Sequence, residues 1–445
     1  MIVNIKPIKI SKSCKINTKE CLIMIVTLIF VIRYFIATPI EKIYYILDSV
    51  FISSMILFLL IRFILKDKLI YTPFPIFISI LTLIFFIYPS IRSYIVFGQP
   101  IYLGLLSSRG AFLLIPSVWI YISVIKRKIK LCQIKNIFLL IGWVNLFIYI
   151  FIYIFVDKAY FLNSLYISFD PLIGYRHKFQ CALIILIGFY YLINYIKTNS
   201  ISSFISYIII LVFFFFILKE RGLIVTFLAI SFIITISMIS RKNIYFLRVF
   251  FLCLFTTTVF LFLYFNWKEH FEIFYMKLND SFIVVRGNIS NDASANIRLI
   301  EAQKMVDFML EKKDRLILGV GNLSRYFERE RGIGGFESFF GYLHPSDVGV
   351  IGVIFVWGIA GSIITYFIPF FIIFIKGKKY VKDSNILVAS ISYYLIFSII
   401  SSLYTGGLVF DSSYFTYFCL GIILANEHLK KNNYLGIQKS CEHQN

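Results

Sequence analysis

The sequence predicts an all-α polytopic membrane protein of about twelve transmembrane helices with one large, partly helical extracytoplasmic loop. Three observations predict it. Hydrophobic residues make up 59% of the chain and charged residues 15%, which leaves too little polar surface for 445 residues to face water. The apolar residues come in unbroken blocks of about 20, the length of helix that crosses the hydrocarbon layer at roughly 1.5 Å per residue. Basic residues gather on alternate connections between those blocks.

The elements follow in chain order. A lysine-rich tail over residues 1–20 leads into a first apolar run, 21–38. No small-x-small cleavage site follows and further spans come at once, so the run reads as an uncleaved helix. Spans two to nine fall at 43–65, 69–88, 110–125, 136–156, 181–196, 201–218, 222–240 and 244–266. Residues 1–266 thus form a membrane domain of spans 1–9, 267–346 an extracytoplasmic loop, and 347–445 spans 10–12 with a tail. The last three spans lie at 347–375, 384–403 and 408–425.

Charge orients the stack. Alternate connections carry Arg62, Lys66 and Lys68; Lys126, Arg127, Lys128 and Lys130; Lys197; Arg241 and Lys242; and Lys376, Lys378, Lys379 and Lys382. The N-terminal tail and Lys430–Lys431 fall on the same side, and the other connections are poor in basic residues. The positive-inside rule puts both termini in the cytoplasm, as an even number of spans requires. This distribution also accounts for the net charge of +21, so no nucleic-acid partner is expected. None of the 7 cysteines falls in the large loop, so neither a disulfide framework nor a zinc site is supported.

Four outer segments remain: 89–109, 157–180, 219–221 and the loop 267–346. The first is apolar but too broken for a clean span, and reads as re-entrant or interfacial. Within the loop, 294–312 reads as a helix, with Asp292 and Ser294 as possible N-caps and Ile297, Ile300, Met305, Phe308 and Met309 as an apolar stripe. Gly319-Val320-Gly321-Asn322 ends it in a turn. A loop longer than about 15 residues between packed elements is usually functional.

Several outer residues could carry chemistry. Arg221, in Lys219-Glu220-Arg221-Gly222, offers a planar, permanently charged fork suited to phosphate oxygens. The alternative is a helix end anchored among lipid headgroups. Arg298 projects from the loop helix, where it could bind an anion or pair with Glu301 one turn on. His344 precedes Pro345-Ser346-Asp347-Val348-Gly349 where the loop re-enters; its imidazole could act as a base or be an ordinary interfacial histidine. Asp347 is a second possible base. His177 lies between Arg176 and Lys178 in another basic cluster, with the same two readings. Glu328 and Glu330 alternate with Arg329 and Arg331 and are expected to pair with them rather than hold metal.

The order of these motifs resembles the bacterial O-antigen polymerase and O-antigen ligase superfamily. The resemblance rests on Lys219-Glu-Arg-Gly, the loop helix with Arg298, Leu318-Gly-Val-Gly-Asn-Leu, His344-Pro-Ser-Asp-Val-Gly and Val356-Trp-Gly-Ile-Ala-Gly. It covers 219–362 in motif and the whole chain in span count and loop position. Two departures stand out: Glu220 occupies a position where the family commonly has a small residue, and Glu301 and Ala302 stand where a Trp often follows the loop arginine.

The resemblance implies glycosyl transfer at the outer face of the bacterial inner membrane, within lipopolysaccharide or related polysaccharide biosynthesis. The donor would be a glycan on undecaprenyl diphosphate, which carries its own leaving group, so no cofactor or metal is expected. Arg221 and Arg298 would hold the diphosphate, with Arg109, Arg176 and His177 as further anion-site residues, and His344 or Asp347 would serve the acceptor hydroxyl. Implied partners are the lipid-linked oligosaccharide, membrane lipids, and a chain-length regulator and flippase of the same pathway. The expected activity is a polymerase that moves the growing chain onto a new lipid-linked repeat. The alternatives are a ligase that moves it to lipid A–core, and, from another class, the pathway's flippase. A flippase should show two similar halves and charges inside helices, whereas this chain has one asymmetric loop and charges at span ends.

Overall fold

A computed structural model describes residues 18–35, 38, 41–157, 167–170, 174–218, 220–239, 245–246, 248–250, 272, 293–330, 333–341, 343–410 and 413–442. Eight of the described helices are long and apolar enough to cross a membrane, and the chain is a multi-pass membrane protein. A backbone in hydrocarbon has no water to bond, so it pairs within itself, and long apolar runs become helices.

The described helices begin with α1 (Thr18–Val31), α2 (Glu41–Ile64), α3 (Pro73–Phe97), α4 (Ile101–Ser108), α5 (Pro116–Ile125), α6 (Leu131–Phe155), α7 (Ala182–Thr198), α8 (Ile201–Phe213) and α9 (Arg221–Ile239). The loop contributes α10 (Ala293–Leu310), α11 (Lys313–Leu318) and the single turn α12 (Glu337–Phe340); α13 (Val350–Ser362), α14 (Ile368–Tyr380), α15 (Ile386–Thr405) and α16 (Ser413–Glu442) follow. The expected span at 244–266 and the loop from 267 to 292 lie almost wholly outside the described residues.

Two stretches differ from the sequence reading. The helix expected to end at Tyr88 runs on: α3 continues through Pro89 and stops at Gly98. Pro89 is itself buried, and a proline deletes only one donor of the helix. After Pro100, α4, a 3-10 stretch over Arg109–Leu114 and α5 join into one span-length segment, Ile101–Ile125. The second difference is a pair of short antiparallel hairpins, β1 (Ile167–Asp170) with β2 (Gly174–His177), and β3 (Glu328–Glu330) with β4 (Ile333–Gly334). Strands this short leave no period-2 pattern to detect.

The centre of the bundle is α7, α15 and the first half of α16, whose side chains are almost all buried. On α15, Ser390, Ser392 and Ser398 bond back to carbonyls one turn earlier at 2.7–3.0 Å, and Tyr366 meets Ser402 at 3.0 Å. Small residues bring such helices close while intrahelical bonds satisfy their polar atoms. By contrast α2 exposes a long apolar face, including Ile46, Val50, Leu57, Leu60 and Ile64, as a lipid-facing helix does.

Ion pairs gather the basic connections. Asp67 takes both Arg62 (3.0 Å) and Lys126 (2.6 Å), and Glu20 takes Lys128 (3.2 Å). Glu427 takes Lys376 (2.8 Å) and Lys379 (2.7 Å), while Lys430 reaches Asp383 at 2.6 Å. Each carboxylate thus ties connections that the charge count had grouped together.

Candidate functional site

The site is built around a broken helix. At Gly358 the chain of α13 takes φ 68° and ψ 175°, which interrupts its hydrogen-bond ladder. The loop fills the gap with its own backbone: Val320 N–H donates to Phe355 O (2.9 Å) and Gly321 N–H to Val356 O (3.0 Å). The approach is backbone to backbone, since a Cβ on Gly319 would lie 2.3 Å from Gly358 N, and one on Gly358 the same distance from Gly319 N. Only glycine satisfies both the conformation and the contact.

The upper end of α3 secures this seam. Buried Arg92 donates from Nε and Nη2 to Gly319 O (3.0 and 2.8 Å) and from Nη2 to Asp314 Oδ2 (3.3 Å). Tyr88 donates to Leu318 O at 2.5 Å and stacks on Trp357. Gln99, wholly buried, donates to Asn322 O (3.2 Å) and accepts from Ser324 N–H (2.7 Å). Above it Phe97, Phe308, Phe336, Phe339, Phe340 and Phe355 pack ring against ring. The loop base is therefore fixed to the membrane domain at three independent points.

On that base sits the loop exit. The buried stripe of α10 is Glu301, Met305 and Met309, whereas Ile297 and Ile300 are exposed. Glu301 accordingly does not pair with Arg298 as a surface neighbour. Its Oε1 accepts the His344 backbone N–H at 2.7 Å. Burial pushes its carboxyl up to about 7, against the His344 N–H, with Asp347 adding to the rise and Arg298 and Lys304 opposing it. The His344 ring has Nε2 3.1 Å from Glu337 Oε1 on α12. Asp347 lies in the 3-10 turn Pro345–Val348, and its N–H donates to His344 O (2.9 Å).

Three segments converge on Tyr404 at the end of α15. The start of α9 comes first: a Cβ on Gly222 would lie 2.9 Å from the Tyr404 ring, and Thr226 Oγ1 is 3.2 Å from its hydroxyl. The loop exit comes second: a Cβ on Gly349 would lie 2.4 Å from Leu403 O and 2.8 Å from Tyr404 Cα. The loop helix comes third, since Arg298 acts on Tyr404 electrostatically, as does Glu220 just before α9. Arg221, half-buried, is the first residue of α9, whose positive dipole end adds to its charge. Arg298 is exposed, and its guanidinium makes no hydrogen bond or ion pair with the described residues. The start of α9 that carries Arg221 and the loop exit that follows His344 thus meet at one tyrosine, on which Arg298 acts electrostatically.

The remaining expected residues lie elsewhere or in other roles. Arg109 opens the 3-10 stretch that packs chiefly against α2, α3 and α16. Arg176 pairs with Ser168 across the β1–β2 hairpin, and its side chain lies outside the described residues. His177 is 2% exposed, stacked on Phe179 with centroids 4.9 Å apart and edge-on to Tyr153. It braces the hairpin beside the wide turn Phe214–Leu218 that leads to Arg221. Among the described residues no group of three or more His, Cys, Asp or Glu side chains could hold a metal ion.

Sequence reasoning missed Arg92, Glu337 and Tyr404. Only Glu301 left a usable signal, because it precedes Met305 and Met309 at intervals of four and so belongs to their face. No known protein family matches the chain, and no curated protein matches it.

Proposed function

We propose that this protein is a polysaccharide polymerase of the O-antigen type, joining glycans carried on undecaprenyl diphosphate at the outer face of the bacterial inner membrane. The observation that supports the reading is the meeting at Tyr404 of the start of α9, which carries Arg221, with the loop exit that follows His344, within the electrostatic reach of Arg298. In the reaction an acceptor hydroxyl oxygen bonds to the anomeric carbon of the donor. The bond from that carbon to the diphosphate breaks, and its electron pair leaves on the undecaprenyl diphosphate. Arg221 and Arg298 stabilise that developing charge through preorganised guanidinium groups. The hydroxyl proton passes to the His344 imidazole, which Glu337 orients from 3.1 Å. With both termini in the cytoplasm, the loop side faces the lipid-linked donor after it has been flipped.

A deletion strain tests the reading. Loss of a polymerase leaves lipopolysaccharide capped with a single repeat; loss of a ligase removes even that repeat; loss of a flippase removes lipid-linked repeats from the outer leaflet. Arg221→Ala, Arg298→Ala and His344→Ala, inserted normally, are each expected to lower chain elongation by roughly 10²–10⁴-fold. Wild-type chain-length ladders from the Arg221 and His344 variants would overturn the assignment.

A further inference from the structure

Glu301 has no role in that reaction, yet the loop is arranged around it. It is 1% exposed, Oε1 is taken by the His344 amide, and Oε2 is buried with no hydrogen-bond partner among the described residues. Arg298 stands one turn before it on α10, exposed and outside any ion pair with the described residues. A carboxylate at that spacing competes with any anion for the guanidinium charge, whereas a neutral carboxyl does not.

We propose that Glu301 is a positioning residue that couples diphosphate binding at Arg298 to its own protonation: neutral, it leaves the guanidinium to the anion, and ionised, it competes for it. The inference rests on the reading of Arg298 as a diphosphate-holding residue. Because linkage is reciprocal, an anion that binds better when Glu301 is neutral also draws a proton onto Glu301. The surroundings favour a change of charge near neutral pH, since burial raises the carboxyl to about 7.

The groups facing Glu301 are Arg298 and Lys304 on its own helix, and Asp347 and the His344 amide on the 3-10 turn. The packed face of α13 carries no ionisable residue. On α11, Asp314 is bound to Arg92, Arg315 to Glu311, and Lys313 is exposed. Asp347 is a like charge and strengthens the retention of a proton, while Arg298 acts in the opposite sense until an anion covers it.

The test uses the intact chain in nanodiscs, with inorganic pyrophosphate as the probe and affinity measured at pH 6 and pH 8. Glu301→Gln keeps an acceptor for the His344 amide and fixes the neutral state; Arg298→Ala identifies binding at this site. Pyrophosphate gains charge as pH rises, equally for every protein compared, so the ratio of affinities is the quantity read. The expected ratio of Glu301→Gln to wild type is near one at pH 6 and about three- to tenfold in favour of the variant at pH 8. An Arg298-dependent affinity with the same ratio at both pH values overturns the coupling and leaves the site. Absence of any Arg298-dependent binding overturns the site and the coupling with it.

Discussion

Gly358→Ala is expected to release the loop from the membrane domain. At φ 68° and ψ 175° the position lies in a region that is essentially glycine-only, and an L residue there costs about 1–3 kcal/mol. The added Cβ would sit 2.3 Å from Gly319 N and 2.4 Å from Ile317 O and Leu318 C, all backbone atoms that cannot swing aside. To make room the loop must back away, which gives up Val320 N–H to Phe355 O and Gly321 N–H to Val356 O, at about 0.5–1.5 kcal/mol each. The sum is about 2–6 kcal/mol. At roughly 4 kcal/mol, local opening rises about 10³-fold, since each 1.4 kcal/mol is about tenfold. Hydrogen exchange of peptides covering 316–324 reads this directly, while peptides around the Lys376–Glu427 pair serve as an internal control. Unchanged exchange over 316–324, with a thermal midpoint equal to wild type, would refute the claim that the seam depends on glycine at both faces.

Arg92→Ala removes every side-chain donor from Gly319 O and is expected to destabilise the same seam by about 1–3 kcal/mol, with Arg92→Lys intermediate because one donor returns. Exchange over 316–324 separates the two; equal protection in the alanine variant and wild type would remove Arg92 from the argument. Glu301 predicts a pH dependence of the opposite sense to a paired carboxylate. Its folded value of about 7 exceeds the ordinary 4.5, so its stabilising contribution is fully present below pH 4.5 and is lost as pH rises to about 7. The difference corresponds to about 3 kcal/mol of relative stability across that interval. The wild-type thermal midpoint should fall there relative to Glu301→Gln, and parallel curves for the two proteins would show that the carboxyl titrates normally.

Much of the membrane domain is legible in the sequence, because a run of apolar residues in lipid has one structural outcome. Residues 43–65, 201–218 and 222–240 became α2, α8 with its wide last turn, and α9 within two residues at each end. At 89–109 the reading ended a span at Tyr88, whereas α3 runs on to Phe97 through a buried Pro89. The site was legible only in part. Arg221, Arg298 and His344 could be singled out by charge and position, but the segments next to Arg221 and His344 meet at a tyrosine at the end of a distant span. Long-range placement of that kind leaves no local period. Pairing with Arg298, the ordinary i,i+3 expectation, is one of two readings for this stretch; Glu301 is instead buried on the face of Met305 and Met309.

The seam at Gly358 also sets an order of assembly. The segment that completes the ladder of α13 leaves the ribosome before α13 itself, so the N–H groups of Val320 and Gly321 must wait for Phe355 and Val356, whereas Leu318 O and Gly319 O already have Tyr88 and Arg92 to meet. Until then neither segment has satisfied all its backbone groups, and the pair enters the native state together as one cooperative unit. A loop deletion would therefore not yield a trimmed membrane domain; it would leave a span with bare carbonyls at its break.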